Sequence, residues 1–265
     1  MGVGPCSERG LRRHRGGTVR LAVLSDIHSN LEALEVALAE VEEARVDAIV
    51  SCGDLVGYNA DPNAVLDRIR ALGISSVMGN HDAVASGLEE PDHFNPVARA
   101  AALWTREVLS PGNREFLGTL PVHRDAAEGI VLAHGSWLDR DAYLLQAVEA
   151  GEDFDALERE RPDARLLLLG HTHFPVAFSR ENGSSRIETE FSDRVPYREG
   201  WITIVNVGSV GQPRDGDPRL CLAIVDTGEG WVQRRRVAYP VKEAARKVRE
   251  AGLPRALADR LIAGR

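Results

Sequence analysis

Five short apolar runs in this chain each end at polar residues that can bind a metal ion. We predict strands at Val19–Leu24, Asp47–Cys52, Ile74–Met78, Ile130–Ala133 and Arg165–Leu169. The polar residues that follow them are Asp26 with His28, Gly53 with Asp54, Asn80 with His81, His134, and the run Gly170-His171-Thr172-His173. Because the ends of parallel strands meet at one edge of a sheet, we expect these residues to share one crevice.

Helical patterns alternate with these strands. Asn30 is a typical helix N-cap, and the apolar residues after it recur at the spacing of a helix face. Further helical patterns follow Asp61-Pro62, cover Pro91–Leu120 with breaks at Pro96 and Pro111, and occupy Tyr143–Ala150 and Phe154–Arg161. This alternation of strand and helix predicts a parallel sheet.

The second half of the chain is richer in strand patterns. They lie at Val176–Ser179, Arg186–Phe191, Ile202–Val205, Leu220–Val225 and Trp231–Val237. Such a series predicts a second sheet packed on the first. We therefore expect a disordered leader at 1–18 and one domain at 19–265, in which 91–120 is a candidate helical cap and 240–264 a helical tail.

Each polar motif alone has an ordinary explanation. Asp26 and His28 could form a capped turn, Asp54 an ordinary turn, and His134 a buried core histidine. Ordinary explanations for all five motifs together are improbable. Since no thiolate is among them, their carboxylate, imidazole and amide groups suit Mn, Fe, Ni or Zn better than calcium or a structural zinc ion.

In this order the motifs resemble those of the calcineurin-like metallophosphoesterase superfamily, which run D-x-H, G-D, G-N-H, H and G-H-x-H. The bacterial branch of predicted, diadenosine-tetraphosphatase-like phosphoesterases is the most similar, through residues 26–34, 53–58 and 206–216. The resemblance extends over roughly Val19 to Val237. It implies an α/β fold, a four-layer α/β/β/α sandwich of two mixed sheets flanked by helices.

The resemblance also implies a role for each residue. One metal ion would be held by Asp26, His28 and His173, and a second by Asn80, His134 and His171, with Asp54 bridging both. The cofactors would be two divalent transition-metal ions, manganese first and iron, nickel or zinc as alternatives, sharing a hydroxide that attacks the phosphoryl group in line. His81 would be catalytic, contacting a phosphoryl oxygen and protonating the leaving group.

Two departures argue against the protein-phosphatase branch of the superfamily. That branch continues its G-D motif with an Asp and a phosphate-binding Arg, whereas Gly57 and Tyr58 stand here. Asp82 follows His81 where that branch has Glu. Two roles stay open for Asp82, which could orient His81 or serve as an acidic residue at a helix N-terminus.

A glycine-rich run from Asn206 to Arg219 follows a predicted strand and supplies candidate substrate contacts. Gly208 and Ser209 are predicted to approach the metal site through their backbone, and Arg214 to bind substrate phosphate. The alternative is a long connection between strands. Trp104 is interpreted as a core residue, and His93 and His123 as ordinary residues that fit no motif.

Composition limits the partners of the protein. A formal net charge of −8 argues against nucleic acid as the main ligand. No apolar run approaches the length of a membrane span, and Cys6, Cys52 and Cys221 form neither a C-x-x-C pair nor a disulfide framework. We therefore expect a cytoplasmic protein that acts on a small phosphorylated substrate, with no membrane partner.

These patterns and the resemblance predict a metal-dependent phosphoesterase that hydrolyses phosphodiester or phosphomonoester bonds of small nucleotidic substrates. Nucleotidic phosphodiesters and dinucleoside polyphosphates come first, and phosphomonoesters next. A DNA nuclease is one alternative, which the acidic balance disfavours. A non-catalytic binding or scaffold protein of the same fold is the other, and the complete ligand set with His81 counts against it.

Overall fold

Twelve strands and eight helices form within residues 18–265, the part of the chain that the computed structural model describes. The strands are β1 (Arg20–Leu24), β2 (Ala48–Ser51), β3 (Ser75–Ser76), β4 (Arg124–Ala127), β5 (Ile130–Leu132), β6 (Leu166–Leu169), β7 (Ala177–Glu181), β8 (Ile187–Glu190), β9 (Arg194–Pro196), β10 (Trp201–Asn206), β11 (Leu220–Asp226) and β12 (Trp231–Val237). The helices are α1 (Leu31–Ala44), α2 (Pro62–Leu72), α3 (Asn80–Ser86), α4 (Pro96–Val108), α5 (Pro111–Gly118), α6 (Gly151–Glu160), α7 (Val241–Glu250) and α8 (Arg255–Ala263). Apart from Thr18, the leader predicted at 1–18 lies outside the described residues.

The strands of the described chain make two mixed sheets of six strands each. The spatial order is β3-β2-β1-β11-β12-β9 in the first sheet and β4-β5-β6-β10-β7-β8 in the second. At the centre of the first sheet β1 and β2 are parallel, and at the centre of the second β6 runs parallel to both β5 and β10. Each sheet therefore has parallel strands whose carboxyl ends lie at one edge.

The two sheets pack face to face, and helices cover their outer faces. Val23 and Val50 of the first sheet share a buried apolar layer with Leu132 and Leu168 of the second. Helices α1, α2, α7 and α8 bury apolar side chains on the other face of the first sheet, and α6 buries Phe154 on that of the second. The predicted four-layer α/β/β/α sandwich is thus confirmed.

The prediction that Asn30 is the N-cap of α1 is confirmed. Its Oδ1 accepts the N–H of Ala33 at 3.1 Å, which satisfies one of the free donors of the first helical turn. Its Nδ2 also donates to the carbonyl of Gly211 at 2.9 Å. The cap therefore ties the glycine-rich run near the chain's end to the beginning of α1.

The helical pattern at 91–120 becomes helices α4 and α5, and each begins at a proline. Pro96 and Pro111 follow the N-caps Asn95 and Ser110. Proline suits the first helical position, because the N–H that it lacks would have no partner there. Trp104 of α4 packs against the apolar core.

The prediction of a helix at Tyr143–Ala150 is wrong, because this segment forms turns. The Glu149 carboxylate accepts the N–H groups of Leu145 at 2.6 Å and of Gln146 at 2.9 Å, which holds this segment in a turn. Leu145 and Val148 remain exposed, so the segment has no continuous apolar face to pack. Helix α6 begins before the predicted Phe154.

Helices α7 and α8 follow β12 and lie within residues 240–264. Lys247 of α7 contacts Glu32 at 2.5 Å and Asp61 at 2.9 Å, so the tail is tied to the beginnings of α1 and α2. Among residues 18–265, no helix is both long enough and apolar enough to cross a membrane.

Candidate metal centre

The seven predicted metal ligands converge beyond the ends of five strands, β1, β2, β3, β5 and β6. Asp26 and His28 follow β1, Asp54 follows β2, Asn80 begins α3 after β3, His134 follows β5, and His171 and His173 follow β6. Asn80 is half-buried and the other six are buried. The packing of the two sheets brings both sets of strand ends to one place.

The turns that carry these ligands have an uncommon backbone conformation. Eight non-glycine residues of the described chain have a positive φ, and seven of them lie in these turns: Asp26, His28, Ser29, Asp54, Tyr58, His171 and His173. The left-handed conformation costs roughly 1–2 kcal/mol per residue. Such residues cluster at functional sites, where the surrounding structure holds them in place.

The first ligand group consists of Asp26, His28 and His173. Nε2 of His173 lies 3.3 Å from Oδ1 of Asp26 and 3.0 Å from Nε2 of His28. Nδ1 of His28 faces the carbonyl of Val56 at 3.0 Å, and Nδ1 of His173 faces that of Gln212 at 2.5 Å. When each neutral ring carries its proton on Nδ1, both Nε2 atoms direct a lone pair at the same point. A cation bound there would stabilise this arrangement of the two rings.

The second ligand group consists of Asp54, His134 and His171. Nε2 of His134 lies 3.3 Å from Oδ2 of Asp54, and its Nδ1 faces the carbonyl of Cys52 at 2.7 Å. His171 has the opposite orientation, since its Nε2 faces the carbonyl of Asp141 at 3.1 Å. Its Nδ1 is therefore the atom left to bind a metal ion.

Asp54 belongs to the second ligand group and also lies close to the first. Its Oδ2 is 3.5 Å from Nε2 of His28 and 3.3 Å from Nε2 of His134. Its Oδ1 accepts the backbone N–H of His81 at 2.9 Å. A Cβ atom at Gly79 would overlap this carboxylate, so glycine makes room for it. One carboxylate thus faces a histidine of each group.

Burial and neighbouring charges together decide the ionisation of the site. Burial alone would raise the pKa of Asp26 and of Asp54, but His173 and His134 respectively hold these pKa values well below the usual range. Burial alone would lower the pKa of His134, yet the charge of Asp54 raises it to about 9. Two ionised carboxylates are therefore buried at the site, where positive charge is needed to stabilise them.

The residues present fit divalent metal ions. Oδ1 of Asn80 is buried and has no hydrogen-bond partner among the described residues. A buried polar atom in that state costs about 1–3 kcal/mol, which a metal ion bound to it would offset. Carboxylate, imidazole and amide donors without a thiolate are typical of sites for first-row transition metals.

His81 lies beside Asp54, in the first turn of α3. Its ring packs 4.4 Å from the ring of Tyr58 and 4.7 Å from that of Phe94. Burial lowers the pKa of His81 to about 4, with a further contribution from Arg214, although Asp54 opposes the shift. The imidazole is therefore neutral near pH 7 and has one N–H to donate.

Asp82 serves as the acidic residue at the N-terminus of α3. Its Oδ2 accepts the N–H of Gly79 at 3.0 Å, and its Oδ1 accepts that of Val56 at 3.2 Å. Of the two roles left open by the sequence, this one matches the hydrogen bonds. It also fixes the turn after Asp54 against the turn that carries His81.

The glycine-rich run contacts the turn that carries Asp26 and stabilises it through hydrogen bonds. Oγ of Ser209 donates to the carbonyl of Asp26 at 2.9 Å and accepts the N–H of Gln212 at 2.8 Å. Gly208 packs against Cys221. Neither Gly208 nor Ser209 is among the described residues that line the cleft above the ligands. Their contact with substrate stays a prediction.

Arg214 is the residue of this run that enters the cleft. Its guanidinium carbon lies 5.5 Å from the ring centre of Tyr58, and its Nη2 donates to Oε1 of Gln212 at 3.2 Å. Its Nε is buried and has no hydrogen-bond partner in the described chain. Arg219, at the end of the same run, pairs instead with Asp217 at 2.6 Å.

Sequence analysis did not assign two aromatic residues, Tyr58 and Tyr143, to the site. The ring of Tyr58 lies 4.5 Å from that of His28, and the ring of Tyr143 lies 4.3 Å from that of His171. Tyr58 stands close after Asp54, and this position is the one signal that could have identified it. Tyr143 lies in the segment predicted as a helix, where nothing indicated the cleft.

Asn206 is a third residue that sequence analysis missed. Its Nδ2 donates to the carbonyl of Gly170 and, at 2.9 Å, to Oγ1 of Thr172. Its Oδ1 accepts the N–H of Gly208 at 2.9 Å. It therefore fixes the turn that carries His171 and His173 to the end of β10.

The two ligand groups open into a cleft of about 230 Å³. Its lining includes Asp54, Tyr58, Asn80, His81, Tyr143, His171, His173 and Arg214. The start of the candidate cap at 91–120 contributes one wall through His93, Phe94, Asn95 and Ala98. His93 thus lies at the cleft, although it fits no motif, whereas His123 stacks on Trp137 at 4.1 Å.

Comparison with known proteins agrees with this geometry. Residues 19–230 match the model of the calcineurin-like phosphoesterase superfamily domain. The chain is 33% identical over 248 residues to an uncharacterized protein of Methanocaldococcus jannaschii, covering 92% of this chain and 98% of that one. A metallophosphoesterase structure from Sphaerobacter thermophilus is 35% identical with a TM-score of 0.79, covering 94% and 100% of the two chains. A hypothetical protein from Pyrococcus horikoshii shares the fold at 20% identity and a TM-score of 0.76, covering 93% and 99%.

Proposed function

The chain belongs to the calcineurin-like phosphoesterase superfamily and is a metal-dependent phosphoester hydrolase, and we propose that it uses two divalent transition-metal ions to hydrolyse small nucleotidic substrates. The bonds cleaved are phosphodiester or phosphomonoester bonds. Manganese is the metal that we favour, with iron, nickel and zinc as alternatives that the same donors accept.

The position of Asp54 carries this proposal. Its Oδ2 lies within 3.5 Å of a histidine nitrogen of each ligand group, namely Nε2 of His28 and Nε2 of His134. A carboxylate so placed can bind two cations at once and reduce the repulsion between them. When bound, such a metal pair polarises the phosphoryl group and activates a water molecule for in-line attack.

The remaining ligands divide between the two ions by the atoms that they present. Asp26, His28 and His173 would hold one ion, the histidines through Nε2. Asn80, His134 and His171 would hold the other, through Oδ1, Nε2 and Nδ1 respectively. In this assignment the backbone carbonyls that face the other ring nitrogens orient each imidazole.

His81 and Arg214 would act on the substrate itself. Both line the cleft beside Asp54. A neutral His81 can donate a hydrogen bond to a phosphoryl oxygen, and a proton taken up from solvent on its other ring nitrogen would let it protonate the leaving oxygen. The guanidinium of Arg214 can pair with a phosphoryl oxygen, a charge-assisted contact that is stronger than a neutral one.

Metal reconstitution joined to substrate screening tests the proposal. Chelator-treated protein is reloaded with Mn²⁺, Fe²⁺, Ni²⁺ or Zn²⁺, and its metal content is determined by elemental analysis. Hydrolysis of nitrophenyl phosphate, bis-nitrophenyl phosphate and nucleotides is then measured. We expect two ions per chain and turnover that depends on the metal. A single tightly held zinc ion would contradict the metal pair, and full loading without turnover would favour the scaffold alternative.

A further inference from the structure

Three carboxylates that are not predicted metal ligands line the cleft. They belong to Glu89, Glu90 and Asp141, whose side chains are 46%, 65% and 53% exposed. Arg140 pairs with Glu89 at 2.6 Å and with Asp141 at 3.6 Å, and Arg106 pairs with Glu90 at 3.0 Å, but these arginine side chains are only 13% and 20% exposed. The carboxylate is therefore the side of each pair that faces solvent, and the mouth of the cleft is acidic.

Positive charge lies deeper in the cleft. Among the described residues that line it, Arg214 is the only arginine or lysine. Arg214 lies against Tyr58, which is buried next to His81. Metal ions held by the predicted ligands would add their charge at the same depth. Cations would attract one phosphoryl group bound at this depth. The carboxylates at the mouth would repel further phosphates that extend outward from it.

The cleft also offers an aromatic surface. Tyr143 is 52% exposed, and its ring lies 4.3 Å from that of His171. A half-exposed tyrosine ring beside a predicted metal ligand is a face on which a planar group can stack. The volume of about 230 Å³ is small beside the roughly 300–1,000 Å³ of pockets for drug-sized ligands. It suits one phosphoryl group with part of an attached ring.

We propose, on the basis of the function proposed above, that the cleft selects esters of a single phosphoryl group with an uncharged planar group and discriminates against linked phosphates. The acidic mouth repels the second and later phosphates, while Arg214 and the ligand groups bind the first. Nucleoside phosphodiesters are thus preferred to dinucleoside polyphosphates, two classes that the sequence motifs do not separate.

Paired substrates test the charge selection. The Mn²⁺-loaded full chain is assayed with the nitrophenyl ester of thymidine 5′-monophosphate and with diadenosine tetraphosphate, both in excess Mn²⁺. We expect kcat/KM to be at least about tenfold higher for the single phosphate. In the double variant Glu90→Gln/Asp141→Asn, the ratio of polyphosphate to single-phosphate kcat/KM rises by about threefold to tenfold, because two exposed charges are removed.

Glu43→Gln is the matched control, since Glu43 is an exposed glutamate of α1 outside the cleft lining. In this variant the ratio of polyphosphate to single-phosphate kcat/KM stays unchanged. Preference for the polyphosphate, or a ratio that the double variant does not shift, overturns the inference.

Calorimetric binding of AMP and ATP gives a second readout that needs no turnover. AMP binds more tightly than ATP, and the double variant narrows the difference; equal affinities in both proteins overturn the inference. Absence of all hydrolysis with selective binding intact would overturn the proposed function alone.

Tyr143→Ala tests the planar group. The substitution raises KM for phenyl phosphate by about fivefold or more and leaves KM for methyl phosphate unchanged, because only the phenyl ring can stack. Phe191→Ala is the control, since Phe191 is an exposed aromatic residue outside the cleft lining. An equal change of KM for both esters in Tyr143→Ala overturns the stacking role.

Discussion

Nε2 of His28 lies 3.0 Å from Nε2 of His173, although 145 positions separate the two residues in the chain. Each ring directs its Nδ1 at a backbone carbonyl, so both Nε2 atoms of the neutral rings carry lone pairs. Facing lone pairs repel each other unless a positive charge lies between them. Both residues are held in the left-handed backbone region, with φ of 48° and 59°. The fold thus maintains a geometry that a bound cation makes favourable.

Asp54→Asn should lower the metal content from two ions per chain to one or fewer. The amide has nearly the shape of the carboxylate but not its charge, so two neighbouring cations are no longer stabilised. Elemental analysis after loading with Mn²⁺ measures the effect.

The control for Asp54→Asn is Asp259→Asn, which removes a carboxylate from the exposed face of α8 and should leave metal content unchanged. If Asp54→Asn retained two tightly bound ions, Asp54 would not be the bridging ligand.

His81→Ala should leave metal content intact and lower turnover by about 10² to 10⁴, the usual scale for a general acid or base. The loss should be larger for alkyl esters than for nitrophenyl esters, whose leaving group hardly needs a proton. Steady-state kinetics on the two ester types measures the difference.

His123→Ala provides the comparison, because His123 stacks on Trp137 and does not line the cleft. Equal losses for both esters in His81→Ala would assign His81 to phosphate binding rather than proton transfer. Unchanged turnover would remove His81 from the mechanism altogether.

Arg214→Ala should raise KM for phosphorylated substrates with little change in metal content. A charge-assisted contact with phosphate is worth roughly 1.5–3 kcal/mol, so kcat/KM should fall by about one to two decades. Arg219→Ala, in the same loop but paired with Asp217 at the surface, should change neither constant. Kinetics of Arg214→Ala that match the parent enzyme would place its guanidinium outside the substrate site.

Asn206→Ala should weaken metal binding by about 10- to 100-fold, because Asn206 fixes the turn that carries two ligands without binding the metal itself. Loss of its buried hydrogen bonds should also lower the free energy of unfolding by about 1–3 kcal/mol. Metal titration and urea denaturation measure the two effects.

The exposed Asn182→Ala is the control for Asn206→Ala, with no expected change in either quantity. A destabilised Asn206→Ala that keeps the parent's metal affinity would show that Asn206 stabilises the fold only.

The elements that were predicted well depend on interactions between near neighbours in the chain. The cap of α1 is made by Asn30 and Ala33, and α4 begins at Pro96 because proline favours the first helical position. The helix predicted at Tyr143–Ala150 failed for a local reason as well. There the Glu149 side chain binds the N–H groups of Leu145 and Gln146 and holds the segment in a turn.

By itself, the sequence determined which side chains the strand ends present and in what order. Apolar runs followed by Asp, Asn and His are local patterns, and parallel strands necessarily bring their carboxyl ends to one edge. That reasoning was enough to name the residues that the structure brings together. It says nothing about how closely they approach or which atom each one presents.

Only the tertiary structure decided the orientation of the ligands and the character of the cleft. Nδ1 of His134 is fixed by a carbonyl 82 residues away in the chain, and Ser209 supports Asp26 across 183 residues. Arg214 likewise contacts Tyr58 because two loops that are distant in the chain line the same cleft. The exposed carboxylates at the mouth of the cleft also come from separate loops. Such contacts depend on how two sheets pack, and no periodicity or spacing within one segment encodes them.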